Sequence, residues 1–217
     1  MDRRLPVTLL LEDDTDCPVC GLGFAFAAPR HYDVCLRCEW VDDPAAYADA
    51  ASRCETNDDS LDGAKRSWPE RLVRRLADAP LTAFGLAMRD DDIGGFDYLV
   101  DGVSVRSVFR RGRDLKASIG PWPVDAGWLD ALLSGEPVTP TGRSRLYVCH
   151  LCGGDDEPAL TADLHVGAER VIWSRIGLES RDVDAANPSL DLRRGPAGFA
   201  FDAAEYRRAL AAARPAK

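Results

Sequence analysis

The sequence predicts an α+β protein, in which a small cysteine-rich ribbon module precedes a mixed α+β domain. Three observations lead there. Four cysteines near the start stand in two C-x-x-C pairs, Cys17/Cys20 and Cys35/Cys38. Further on, short runs rich in Val, Ile, Tyr and Leu are separated by turn residues, as strands are. Two segments, after Ser60 and after Asp202, carry helix-start signals. The 217 residues are enough for one large domain or two modest ones, each with a core, and the expected division is 1–80 and 81–217.

The run Leu5 to Leu11 reads as a strand entering the first region. It is too short to span a bilayer, and Glu12-Asp13-Asp14 follows it without a small-residue cleavage site. After the cysteine pairs comes an acidic, alanine-rich stretch from Asp42 to Asp59. Ser60 then caps a helix with Asp62 in its first turn, Pro69 interrupts or restarts that helix, and Leu72, Val73 and Leu76 form its apolar stripe. Asp90 to Gly95 is a linker. Phe96 to Val100 is a strand with Asp101-Gly102 as its turn, and Val103 to Phe109 is strand or helix. Ile119 to Pro123 is extended. Asp125 to Leu133 is a helix burying Trp128, Leu129, Leu132 and Leu133, stopped by Gly135. Arg145 to Cys149 is a strand, and Leu160–Val166 with Arg170–Ile176 forms a hairpin. The final helix is capped by Asp202 with Glu205 three residues on. No internal repeat is visible.

Composition narrows the function classes. With 46% hydrophobic and 29% charged residues the chain is an ordinary folded protein. A net charge of −9 argues against broad nucleic-acid binding and against docking on anionic membranes. An odd count of 7 cysteines, six of them in C-x-x-C pairs, suits reduced thiols and a cytoplasmic setting rather than a secreted disulfide framework.

The cysteine pairs carry the chemistry. One C-x-x-C serves a metal or a redox couple equally well. Two such turns, fourteen residues apart, present four thiolates that together complete a tetrahedral cage, the ligand set of a structural zinc. Cys17, Cys20, Cys35 and Cys38 are therefore the expected metal ligands. Gly21 allows the first turn to reverse sharply. Four thiolates leave no open position, so the ion would hold the fold rather than perform catalysis. His31 and Cys54 are spare candidates, more simply read as a surface histidine and a lone thiol.

These residues resemble the bacterial cysteine-rich CPCC family of zinc-ribbon-like domains. The similarity runs from Cys17 to Trp68. Cys-Pro-Val-Cys-Gly has Val19 where the family has an extra cysteine. Tyr32 to Asp43 matches the second turn, with Trp40, Asp42 and Asp43 on its aromatic and acidic positions, and Asn57 to Ala64 matches a segment that opens a helix. Members occur near bacterial toxin genes, so the resemblance implies an immunity or antitoxin role. The stretches Phe96–Val105, Ser144–Gly154 and Arg170–Gly177 resemble actinobacterial proteins of no assigned activity. In those a further cysteine follows the C-x-x-C; here the place holds Gly153 to Glu157.

A second metal site would draw on Cys149 and Cys152, with His150, His165, Asp155 or Asp156 completing it. Three ligands and an open position would permit metal-assisted hydrolysis. The plainer reading is a vestigial turn with two semi-buried thiols or a reversible disulfide. No nucleophile elbow or phosphate loop is present. Arg110-Arg111-Gly112-Arg113 reads as a solvated loop, the many aspartates as solvated faces and turns, and Trp122 and Trp128 as core anchors. No catalytic residue is assigned, and the expectation leans away from an enzyme. The reading that gathers these points is a cytoplasmic, zinc-stabilised protein–protein interaction module, an immunity protein whose acidic surface meets a basic toxin domain. The alternative is the metal-dependent hydrolase at Cys149/Cys152.

Overall fold

The computed structural model describes residues 8, 9, 11, 14–88, 96–109, 119–120, 126–149, 159–180, 188–192 and 195–213. Among them, helices and largely antiparallel sheets combine as an α+β fold. Two buried clusters organise it. The first gathers Cys17, Val19, Cys20, Phe26, Cys35, Cys38, Trp40 and, from the helix that follows, Leu61, Trp68 and Leu72. The second gathers the downstream strands around Trp173.

Between the cysteines and the long helix lies a one-turn helix, α1 (Pro44–Ala48), capped by Asp43. Helix α2 (Leu61–Asp78) begins where Ser60 accepts a hydrogen bond from the Gly63 amide at 3.0 Å, as the capping signal requires. Pro69 neither ends nor restarts it: the helix runs through unbroken. A proline removes one backbone donor and crowds the turn before it. The burial of Trp68 and Leu72 on either side supplies what holds the helix across it.

β2 (Phe84–Met88) and β3 (Phe96–Val100) pair, and β4 (Val103–Ser104) closes a small sheet. Asp101 and Gly102 both take positive φ, +50° and +77°, the double left-handed turn that Asp-Gly favours in tight hairpins. The segment after it is strand and then helix, α3 (Val105–Phe109).

The larger sheet has seven strands. β5 (Ile119–Gly120), β6 (Ser144–Cys149), β7 (Ala159–Val166), β8 (Arg170–Ser180) and β9 (Ser189–Asp191) lie side by side, and β10 (Gly198–Asp202) also pairs with β8. At its edge β1 (Thr8–Leu9) runs parallel to β9, Thr8 opposite Ser189, so residues from before the cysteines join strands from the far end of the chain. Helix α4 (Ala126–Ser134) buries Leu129 and Leu132 and stops at Gly135, whose φ is +72°. Helix α5 (Ala203–Ala212) starts on the Asp202 cap, which accepts from the Glu205 amide at 2.8 Å.

Six aromatic rings, Phe84, Tyr98, Tyr147, Trp173, Phe201 and Tyr206, make the heart of the second cluster. Most of their pairs meet edge to face, with Phe84–Trp173 at 5.6 Å and Tyr98–Trp173 at 5.4 Å. Such pairs add about 0.5–1.5 kcal/mol each beyond burial. Trp128 packs against this cluster as a partly buried neighbour. Residues 89–95, the run Arg110–Arg113 and Trp122 lie outside the described residues.

Beneath the sheet Arg143 is almost wholly enclosed, 1% exposed. It donates to Asp163 at 2.7 Å, to Thr161 Oγ1 at 2.8 Å and to the Arg175 carbonyl at 2.5 Å, and it pairs with Glu179 at 3.3 Å. Burial pushes its guanidinium down from the ordinary arginine value while Asp163 and Glu179 oppose the shift. An arginine stays charged through such a contest, so the network is a set of compensated buried charges.

Candidate metal centre

The two C-x-x-C turns are built on one plan. In the first, the Cys17 amide donates to the Leu22 carbonyl at 2.9 Å and the Gly21 amide to Cys17 at 2.9 Å. In the second, eighteen residues later, Cys35 donates to Trp40 at 2.8 Å and Glu39 to Cys35 at 2.8 Å. The residue after each second cysteine is left-handed: Gly21 at φ +70° and Glu39 at φ +64°. The equivalence escapes a reading of the letters, because the second turn places a glutamate where a glycine would announce the conformation.

The turns face each other across the cluster. Cys17 Sγ lies 3.5 Å from Cys38 Sγ and Cys20 Sγ 3.6 Å from Cys35 Sγ, and all four sulfurs fall within 4.8 Å of one another. All four residues are buried, at 0–5% exposure. A tetrahedral ion with metal–sulfur bonds of about 2.3 Å requires sulfurs about 3.8 Å apart, so the donor set fits one metal ion. Four buried thiols this close cannot all ionise unless a cation lies among them, and a divalent ion held there would ionise every one.

The shell around the sulfurs is polar where the sequence suggested only solvated acids. Asp42 and Asp43 are 0% and 4% exposed. Asp42 accepts from the Tyr47 hydroxyl at 2.5 Å and from the Arg30 amide. Asp43 accepts from Thr56 at 2.5 Å and from the Ala45 amide at 2.8 Å, and the Thr56 bond above all lowers its carboxyl from the ordinary range. Asn57 imitates a strand partner: its side chain donates to the Val41 carbonyl and accepts from the Val41 amide, both at 3.0 Å. These acids brace the loops and are not a solvated face.

Cys54 joins the same buried cluster but not the group of four sulfurs. It accepts from Asn57 at 3.3 Å and lies 3.6 Å from Thr56 Oγ1. His31 is exposed and outside the group. Of the second proposed site, Cys152, His150, Asp155 and Asp156 lie outside the described residues. Cys149 ends β6 and His165 lies near the end of β7. Because Tyr147 pairs with Leu160, the two are separated by about seven strand positions, some 23 Å at about 3.3 Å each. His165 therefore does not complete a site with Cys149.

The turns differ in what covers them. Pro18 and Val19 of the first are buried, facing a cleft of about 330 Å³ shared with Leu9, Trp68 and Leu192. Val19 lines this apolar contact. The second turn presents Leu36 at 91% exposure, while Arg37 reaches across to the Leu192 and Gly195 carbonyls at 2.9 and 2.8 Å. Among the described residues no helix is long and apolar enough to cross a membrane.

No curated protein and no solved structure matches the chain. The family of cysteine-rich CPCC domains does, over residues 15–71, the span that holds both turns, the acidic braces and the first half of α2. The four-cysteine cluster described above, which could hold one metal ion, is thus the core of a cysteine-rich CPCC domain occupying residues 15–71 of this chain.

Proposed function

We propose that the protein is a zinc-stabilised interaction module that acts in the cytoplasm and binds a basic protein, in the manner of an immunity protein occluding a toxin. Zinc is the ion because an all-thiolate, closed, tetrahedral set is its structural preference and leaves no position for substrate. The observation that carries the reading is the unequal covering of two equivalent turns. Pro18 of the first is sealed against its own chain, whereas its counterpart Leu36 stands free. Phe24, Tyr32 and Val34 of the same module are also exposed, at 77%, 57% and 50%. With Leu36 they fall between residues 24 and 36, and this stretch is the contact surface of the proposed reading. From Asp14 to Asp62 acidic residues outnumber basic ones eleven to three, which favours encounter with a cationic partner.

The test is native mass spectrometry of the protein captured from its own cells, beside the variant Leu36→Asp. One zinc with a stoichiometric partner, lost in the variant, whose association slows as salt rises, is the expected result. A partner retained by Leu36→Asp, or an association rate indifferent to salt, would overturn the assignment. Two metals and no partner would favour the hydrolase instead.

A further inference from the structure

We propose that the cleft between α2 and strands β7 and β8 binds a small organic oxyanion, a carboxylate or phosphate ester on a short apolar body. The cleft holds about 490 Å³, within the range of small-molecule sites. Pro69 and Val73 of α2 and Leu164 of β7 give it apolar walls, and Arg74, His165 and Arg175 give it donors.

Arg175 carries the argument. It sits at the bulge where the β7–β8 register slips, Thr161 opposite Gly177 but Asp163 opposite Ser174, and its φ is +48°. A left-handed arginine inside a strand is a conformation that L-residues avoid, and such bulges re-aim a side chain. Its Nε donates to Asp163, which fixes the guanidinium plane. Among the described residues no partner of its two Nη groups is found, and the side chain, 25% exposed, lines both this cleft and the smaller one beside the first cysteine turn. A guanidinium clamped at Nε with both Nη groups unengaged is a fork prepared for a planar pair of acceptor oxygens.

The floor makes this possible. Asp163 would otherwise repel an anion, but Arg143 holds it from below as Arg175 does from the side, and Glu179 is matched by the same Arg143. At the rim, Arg74 has only a 3.9 Å contact with Glu70, and the His165 ring is exposed. In a protein of net charge −9, this is a place where the described cations and carboxylates balance and donors remain unused. The site is independent of Leu36 and of any partner protein.

Calorimetric titration of the zinc-loaded full chain with butyl phosphate, butyrate and inorganic phosphate tests it. Saturable one-to-one binding of butyl phosphate or butyrate is expected, weaker for inorganic phosphate, which lacks the apolar body. Arg175→Lys keeps the charge but loses the fork and should weaken binding at least tenfold. Because Arg175 also braces Asp163, Arg74→Gln on the exposed rim serves as the variant that cannot disturb folding, with a several-fold loss expected. Absence of saturable binding up to about 10 mM, beyond which an affinity is weaker than about −3 kcal/mol, would overturn the proposal. So would equal binding by the wild type and Arg74→Gln.

Discussion

The N-terminal domain and the sheet that follows it build cores from different material. In the cysteine cluster five of the thirteen buried apolar residues described are cysteines, and the loops are tied by carboxylates and one asparagine rather than by strands. Around Trp173 six aromatic rings meet mostly edge to face beside a sheet of seven described strands. The first core has little apolar surface beyond its cysteines, and on the proposed reading an ion holds it; the second depends on area and shape. The two touch through α2, which packs on β8 and β10, and through Arg37, which ties the second turn to the Leu192 and Gly195 carbonyls.

The sharpest way to break this contrast is to remove the metal. Structural zinc contributes about 10–16 kcal/mol of apparent binding energy in small peptide systems. Chelation, or Cys35→Ser, is expected to unfold residues 15–71 while the sheet keeps its strand signature. Amide NMR resonances of the two regions report this separately, and simultaneous loss of both would show that the cores are not separable. Phe201→Ala is the converse. It removes a fully buried ring in contact with Phe84 and Trp173, at a loss of about 3–5 kcal/mol. Its melting temperature should fall with the zinc-to-protein ratio unchanged by elemental analysis.

Extremes of pH should act on the two regions in opposite directions. Burial, first of all, raises the hydroxyls of Tyr98, Tyr147 and Tyr206 in the aromatic core. Their contribution is complete below the ordinary tyrosine value of about 10 and is lost as pH rises above it. In the metal domain Asp43 is lowered, chiefly by Thr56, so its contribution is present above the ordinary aspartate value of about 3.9 and lost as pH falls below it. Denaturant titrations across pH should show Tyr206→Phe flattening the alkaline limb and Asp43→Asn the acid limb. Tyr47, raised by burial and by its bond to Asp42, gives the metal domain a smaller alkaline limb of its own. The least effect belongs to Glu39→Gly. Relieving a left-handed glutamate should stabilise the domain by up to about 1 kcal/mol, since the exposed Glu39–Arg75 pair at 3.8 Å contributes little. Unchanged stability would mean the second turn is not strained.

What the letters reveal depends on how local the physics is. The four thiols, the caps at Ser60 and Asp202 and the Asp101-Gly102 turn are each decided by neighbours in sequence, and each stands where expected. β2, β9 and β10 have no comparable signature; Phe84 becomes a core residue only because β3 and α5 arrive beside it. Arg143 sits in a Thr-Gly-Arg-Ser stretch that reads as a surface turn, and its partners Asp163 and Glu179 come from two other strands. Asp42 and Asp43 look like solvated acids because their donors, Tyr47 and Thr56, are ordinary polar residues whose role appears only on folding.

The pairing of Thr8 with Ser189 sets an order of events during synthesis. At about 5–20 residues per second, β1 leaves the ribosome on the order of 10–40 s before its partner strand exists. The cysteine turns follow β1 directly and are complete long before then. If they take up the proposed ion at that stage, residues 15–71 fold while β1 is still an unpaired strand ahead of them. That strand stays without its pairing partner until β9 arrives to receive it.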